Sequence, residues 1–212
     1  MNKRLLVLVI LLAAAFFVQA QPKGFVPVKD AAAFRQSFAS ASQKMNSFRA
    51  DFVQEKNLSL LAEKITSKGK FYFRKTSDVR MEYLQPFNYL LVISGNKVHI
   101  KDGQKENTVS VKSNRLFQKI NAITVDCVRG TALDNGDFRS AIFENQQFWL
   151  LELVPVSKEL KDIFASIEIY LDRKDYSVSR INMVEKGGDN TLISFNQKEI
   201  NAPLADALFS IR

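Results

Sequence analysis

GKFYFRKTSDVRMEYLQPFNYLLVISGNKVHIKD, residues Gly69 to Asp102, alternates aromatic and aliphatic residues with polar ones through several short runs separated by turn residues. Alternation of period two is the signature of strands with one buried face. Phe71, Phe73 and Lys75 share one face of their strand, and Val79, Met81 and Tyr83 share one face of the next. Gln85-Pro86 interrupts the pattern, Tyr89 to Ser94 is nearly all apolar, and Gly95-Asn96 and Asp102-Gly103 are hairpin signals. The stretch reads as a curved antiparallel sheet with an apolar, aromatic face. Spacing alone fits an ordinary core covered by helices more simply than it fits a ligand cavity.

Upstream, Ala33, Phe34, Phe38, Ala41 and Met45 recur at helical spacing behind Asp30, a residue suited to cap a helix N-terminus, so an amphipathic helix opens the fold. Phe48, Ala50 and Phe52 then alternate with charged residues, and Ser59 to Thr66 returns toward the strand Lys70 to Lys75. Downstream, Leu116, Phe117, Ile120, Ile123, Val125 and Val128 suggest one or two short helical pieces, ended by Asp134-Asn135-Gly136-Asp137. Strands resume at Arg139 to Phe143, Phe148 to Val156, Ser166 to Asp172, Val178 to Glu185 and Thr191 to Lys198, with Gly187-Gly188-Asp189-Asn190 as a turn. The expected fold is α+β, a strongly curved antiparallel sheet of roughly ten or eleven strands capped by helices.

Lys3 and Arg4, the apolar run Leu5 to Val18 and the small residue Ala20 have the layout of a secretory signal peptide cut before Gln21. Residues 21–212 then form a single domain of 192 residues, with 28 basic residues against 22 acidic and a net charge of +6. No cysteine follows the cut for lipid attachment, and Cys127, the one cysteine, reads as a small buried apolar side chain. The basic residues are scattered and no recognition helix stands out, so nucleic acid is not expected, while an anionic membrane surface stays open. His99 is the one histidine; no Gly-x-Ser-x-Gly elbow, HExxH or metal-spaced cluster accompanies it, and Asp51, Glu55, Asp134 and Asp137 read as surface strand and turn residues. Neither catalysis nor a metal or cofactor is expected.

The ordered blocks Ser47-Phe48-Arg49-Ala50-Asp51-Phe52-Val53-Gln54, Gly69 to Lys75, Arg80 to Pro86 and Leu90 to Val98 together resemble the periplasmic outer-membrane lipoprotein carrier family, the LolA type. Asn201-Ala202-Pro203-Leu204, followed by Leu208-Phe209, resembles that family's closing segment. The resemblance implies an incomplete antiparallel barrel with helices forming a lid over an apolar cavity, and a monomer that shuttles lipoproteins through the periplasm. Its implied partners are lipoprotein acyl chains, an inner-membrane lipoprotein-releasing ABC transporter and an outer-membrane acceptor. A carrier or sensor of another lipid or glycolipid on the same scaffold is the alternative.

On that resemblance the cavity is lined by Phe52, Phe71, Phe73, Val79, Met81, Tyr83 and Leu91, and the lid carries Phe34, Phe38, Leu116, Phe117, Ile120 and Ile123. The family has an Arg-Pro pair at the end of the Gly69 strand, its arginine holding the lid closed. Here the matching residue is Lys75, without the proline, and Arg74 is the alternative one position earlier. A lysine can donate to lid carbonyls but lacks the planar five-donor fork of arginine.

Overall fold

The computed structural model describes residues 22–60, 64–75, 78–95, 97–110, 126 and 131–210. Twelve strands form one sheet, every neighbouring pair antiparallel, in the order β1-β8-β9-β10-β11-β12-β2-β3-β4-β5-β6-β7. The strands are β1 (Val26–Pro27), β2 (Ser47–Asn57), β3 (Lys64–Arg74), β4 (Asp78–Gln85), β5 (Tyr89–Ser94), β6 (Lys97–Asp102), β7 (Lys105–Ser110), β8 (Phe138–Glu144), β9 (Phe148–Pro155), β10 (Phe164–Asp172), β11 (Val178–Glu185) and β12 (Asn190–Ile200). The sheet does not close: β1 and β7 lie at its two ends. It is an incomplete barrel, with one strand more than the upper expectation because a two-residue β1 extends the β8 edge.

The pairing of β12 with β2 joins the two halves of the chain. Strands that follow one another in the chain are paired neighbours in the sheet, with two exceptions: β1 leads to β2 through the opening helix, and β7 and β8 stand ten places apart in the strand order. The expected helical pieces of the intervening segment, with Leu116, Phe117, Ile120, Ile123 and Cys127, fall outside the described residues. What is described at its end is the short 3-10 turn Ala132–Asp134.

Period-two patterning puts one face of the sheet in the core. Across β8 to β12, Ile142, Leu151, Ile169, Ile181 and Ile193 stand opposite one another in turn. Phe195 stands opposite Phe52, and Phe48, Phe71 and Phe195 form a cluster of edge-to-face rings with centroids 5.2–6.0 Å apart. From Ala50, opposite Phe71, one row runs through Phe71, Met81, Leu91 and Ile100, and beside it another runs through Phe73, Val79, Ile93 and Val98. These side chains form one hydrophobic cluster.

The opening helix, α1 (Ala31–Lys44), lies over this face, with Phe34 and Phe38 buried. Asp30 caps it as the sequence predicts, its carboxylate accepting from Ala33 N at 2.9 Å. A second, four-residue helix, α2 (Lys158–Lys161), joins β9 to β10 and buries Leu160. Among the described residues no helix is long and apolar enough to cross a membrane.

The opposite face carries two smaller apolar patches outside that cluster. Leu150 and Phe143 are buried opposite each other, with Phe25 and Phe148 packed edge-on against Tyr170 on the neighbouring strand. Val92 is 1% exposed, and the C-terminal turn Asp206–Phe209 packs against β4 and β5 with Phe209 buried.

Candidate apolar binding face

Gly69 sets how closely the wall can pack. A Cβ there would lie 2.0 Å from the Glu82 carbonyl oxygen and 2.8 Å from the Phe52 ring. Only glycine lets the Phe52 ring come this close to β3. That ring meets Tyr83 edge-on at 4.9 Å, and Tyr83 meets Tyr89 at 5.6 Å. The Tyr83 hydroxyl donates to Gln54 Oε1 at 2.9 Å, and burial pushes its pKa up to about 12.

The seven residues assigned to the wall fall on one face of β2 to β5, as the register above requires. Phe52, Phe71, Phe73 and Val79 are buried, while Met81, Tyr83 and Leu91 are half-buried and packed against the same cluster. In this conformation the wall is covered.

Part of that cover is α1, which rests on an aromatic seat. Phe34 lies 4.9 Å from the Trp149 ring and 5.8 Å from both Phe38 and Tyr176; Trp149 and Tyr176 stack in parallel at 6.1 Å. The Arg173 guanidinium sits 3.9 Å above the Trp149 ring and is held by Glu144 at 2.9 Å. Among the described residues the buried Trp149 indole N–H meets no hydrogen-bond partner. Clefts of about 300 Å³ and 550 Å³ flank the helix, the first lined by Val28, Asp30, Phe34, Glu144, Trp149 and Tyr176, the second by Ser37, Ser40, Lys44, Lys174 and Tyr176 among others.

The C-terminal end of α1 is clasped by polar contacts. Lys75 Nζ donates to the Gln43 carbonyl at 2.8 Å, and Lys75 N donates to Asn46 O at 2.8 Å. Asn201, at φ 60°, accepts from Asn46 N at 2.7 Å through Oδ1, donates to the Lys44 carbonyl at 3.0 Å through Nδ2, and donates through its backbone N–H to Ser47 O. A lysine and an amide thus engage carbonyls that a helix C-terminus leaves unsatisfied.

Arg74 points elsewhere. Its guanidinium binds Asp78 at 2.7 Å and also Asp206, and lies 4.6 Å above the Phe209 ring, which ties the C-terminal turn to the outer side of the sheet. The residue that meets α1 is Lys75.

Trp149, Tyr176 and Asn201 were not among the residues the sequence reading assigned to the site. The lone tryptophan was a usable signal, since indole rings favour half-buried apolar seats with a polar edge. Asn201 carried a fainter one, because asparagine is enriched at positive φ. His99, on the outer parity of β6, has Nδ1 2.9 Å from Thr108 Oγ1, an ordinary cross-strand contact. Among the described residues no group of three or more His, Cys, Asp or Glu is placed to hold a metal ion.

Comparison with known proteins agrees with this fold. An outer-membrane lipoprotein carrier protein of Methylibium petroleiphilum is 26% identical over 156 residues, covering 74% of this chain and 73% of that protein. Among solved structures, an uncharacterized conserved protein from Thermus thermophilus superposes with a TM-score of 0.51 at 12% identity, covering 85% of this chain and 93% of that one. The Pseudomonas aeruginosa MucA/MucB complex gives 0.50 at 15% identity, covering 85% of this chain and 60% of the matched one. At such identities the two structures establish the fold alone. The family described as outer membrane lipoprotein carrier protein LolA matches residues 43–212, from the end of α1 through every remaining strand, and the chain belongs to that family.

Proposed function

We propose that this chain is a periplasmic carrier that takes the acyl chains of lipoproteins onto the apolar face of its open sheet and shuttles them from the inner to the outer membrane. The observation that carries this reading is the apolar face that runs from β8 to β6, covered in part by α1 on an aromatic seat. A donor of the lipoprotein-releasing ABC transporter class and an outer-membrane acceptor are the partners such a route requires.

Energetics explains why the cover matters. Burying a dozen CH₂ groups releases about 10 kcal/mol, and a multiply acylated cargo would bind too tightly to leave. Displacing Phe34 and Phe38 from Trp149 and Tyr176 opposes binding and brings net affinity into a range compatible with handover. Lys75 and Asn201, by holding the helix end, set part of that opposing term.

The decisive assay incubates the processed protein with spheroplasts synthesising a labelled lipoprotein. Release of the label as a soluble one-to-one complex is expected, and retention of the label on the membrane would refute the proposal. Recovery of the protein loaded only with phospholipid or glycolipid would assign the face to the other lipid-carrier role.

A further inference from the structure

Antiparallel order places the β2–β3, β4–β5, β6–β7 and β11–β12 turns at one end of the sheet, together with the exit of β9. Among the described residues six large apolar side chains are exposed, and five of them, Leu60 (95%), Phe87 (79%), Ile65 (50%), Val156 (47%) and Leu84 (46%), lie at this end. The sixth, Val26, is at the other. Exposed apolar residues scattered singly need no explanation, but this one-sided concentration does.

We propose that this end of the sheet docks on a phospholipid bilayer, with Phe87 and Leu60 inserting into the acyl layer. The apolar side chains stand on separate turns across the width of the sheet. A protein partner would need a pocket for each, whereas an acyl layer accepts isolated side chains independently. One step inward, Tyr83 and Tyr89 form an aromatic pair on the apolar face, the residue type that settles at headgroup depth. Docked this way, the Tyr83–Tyr89 end of the apolar face meets the membrane surface.

Three of the lysines at this end, Lys56, Lys64 and Lys101, are each paired with a carboxylate, Glu185, Glu55 and Glu106, and the apolar insertion proposed here withstands salt. The proposal goes beyond carriage of cargo, and its test needs neither cargo nor partner.

The chain from Gln21 onward contains the whole described fold and lacks the apolar leader, so it is the form to use. With vesicles of phosphatidylethanolamine and phosphatidylglycerol at three to one, it is expected to co-sediment in both low salt and 0.5 M salt (roughly, a Debye length below 5 Å). Phe87→Glu and Leu60→Glu should each lower vesicle partitioning about tenfold or more, the scale of losing one buried large side chain, while Val26→Glu leaves it unchanged. In Phe87→Trp, vesicles with brominated acyl chains should quench the introduced indole. Wild-type protein remaining in the supernatant, binding abolished by salt, or Phe87→Glu partitioning like wild type would each overturn the proposal. Those failures leave the lipoprotein-release assay untouched, so the two readings fall separately.

Discussion

Phe34→Ala separates a cover that competes with cargo from a wall that binds it. Phe34 is 3% exposed and its ring lies against Trp149, Phe38 and Tyr176. Truncating a buried phenylalanine costs about 3–5 kcal/mol, because the aromatic seat cannot collapse fully around the void. For a chain of this size, a loss of about 3 kcal/mol corresponds to a drop of about 6–12 °C in Tm. The same loss falls on the covered conformation alone when cargo displaces the helix. Apparent affinity scales with the fraction of molecules in the competent state, so a fluorescent fatty-acid probe should bind at least about tenfold more tightly. Trp149 emission should shift to the red in the free variant as water reaches the ring. Val92→Ala, on the opposite face, serves as the control: it should lower Tm without changing probe affinity. A weaker-binding Phe34→Ala would refute the reasoning, since Phe34 would then belong to the binding wall itself.

Lys75→Met removes one charge-assisted bond to the Gln43 carbonyl at an exposed helix end, worth about 0.5–1 kcal/mol, and should tighten probe binding about two- to fivefold, with Lys75→Arg near wild type; unchanged affinity in the same titration would remove Lys75 from the clasp. Gly69→Ala forces a methyl to within 2.0 Å of the Glu82 carbonyl oxygen, so urea unfolding should show a loss of about 3 kcal/mol, and a loss below about 1 kcal/mol would contradict the packing of Phe52 against β3. Glu152 stands directly opposite Glu168, and burial, then that neighbour, raises its pKa above the ordinary 4.5. A carboxyl raised on folding contributes stability while protonated and loses it as pH climbs through the raised value. The wild-type minus Glu152→Gln stability difference should therefore fall as pH rises above about 4.5, by a few tenths of a kcal/mol for this half-exposed cross-strand pair; a flat difference curve from thermal melts across that range would refute it.

Much of the architecture was legible because each local step carries its own chemical mark. Asp30 announces α1; Gly95-Asn96, Asp102-Gly103 and Gly187-Gly188 announce hairpins; and the parity of Phe71, Phe73, Val79, Met81 and Tyr83 identifies the covered face before any pairing is known. The start of β3 was harder to read. Lys64 to Ser67 extends past the paired end of β4, has little core to cover on one side, and so is written in polar residues broken only by Ile65. The seat of α1 was legible only as a lone tryptophan with no position in space, since Trp149 and Tyr176 come from the far half of the chain and reach Phe34 through the pairing of β12 with β2. The same holds for Asn201, whose partners Lys44 and Asn46 lie more than 150 residues away.

The helix α1 is tied at both ends. Gln43 to Ser47 are held by Lys75 and Asn201, and just before the Asp30 cap β1 pairs with β8 and Val28 N donates to the Ile142 carbonyl at 3.1 Å. A cover held in this way would clear the face by rolling about its own axis, about 21 Å long, and not by swinging like a door. Phe34 and Phe38, one turn apart on the same side, would then leave the aromatic seat together while both tethers keep their register.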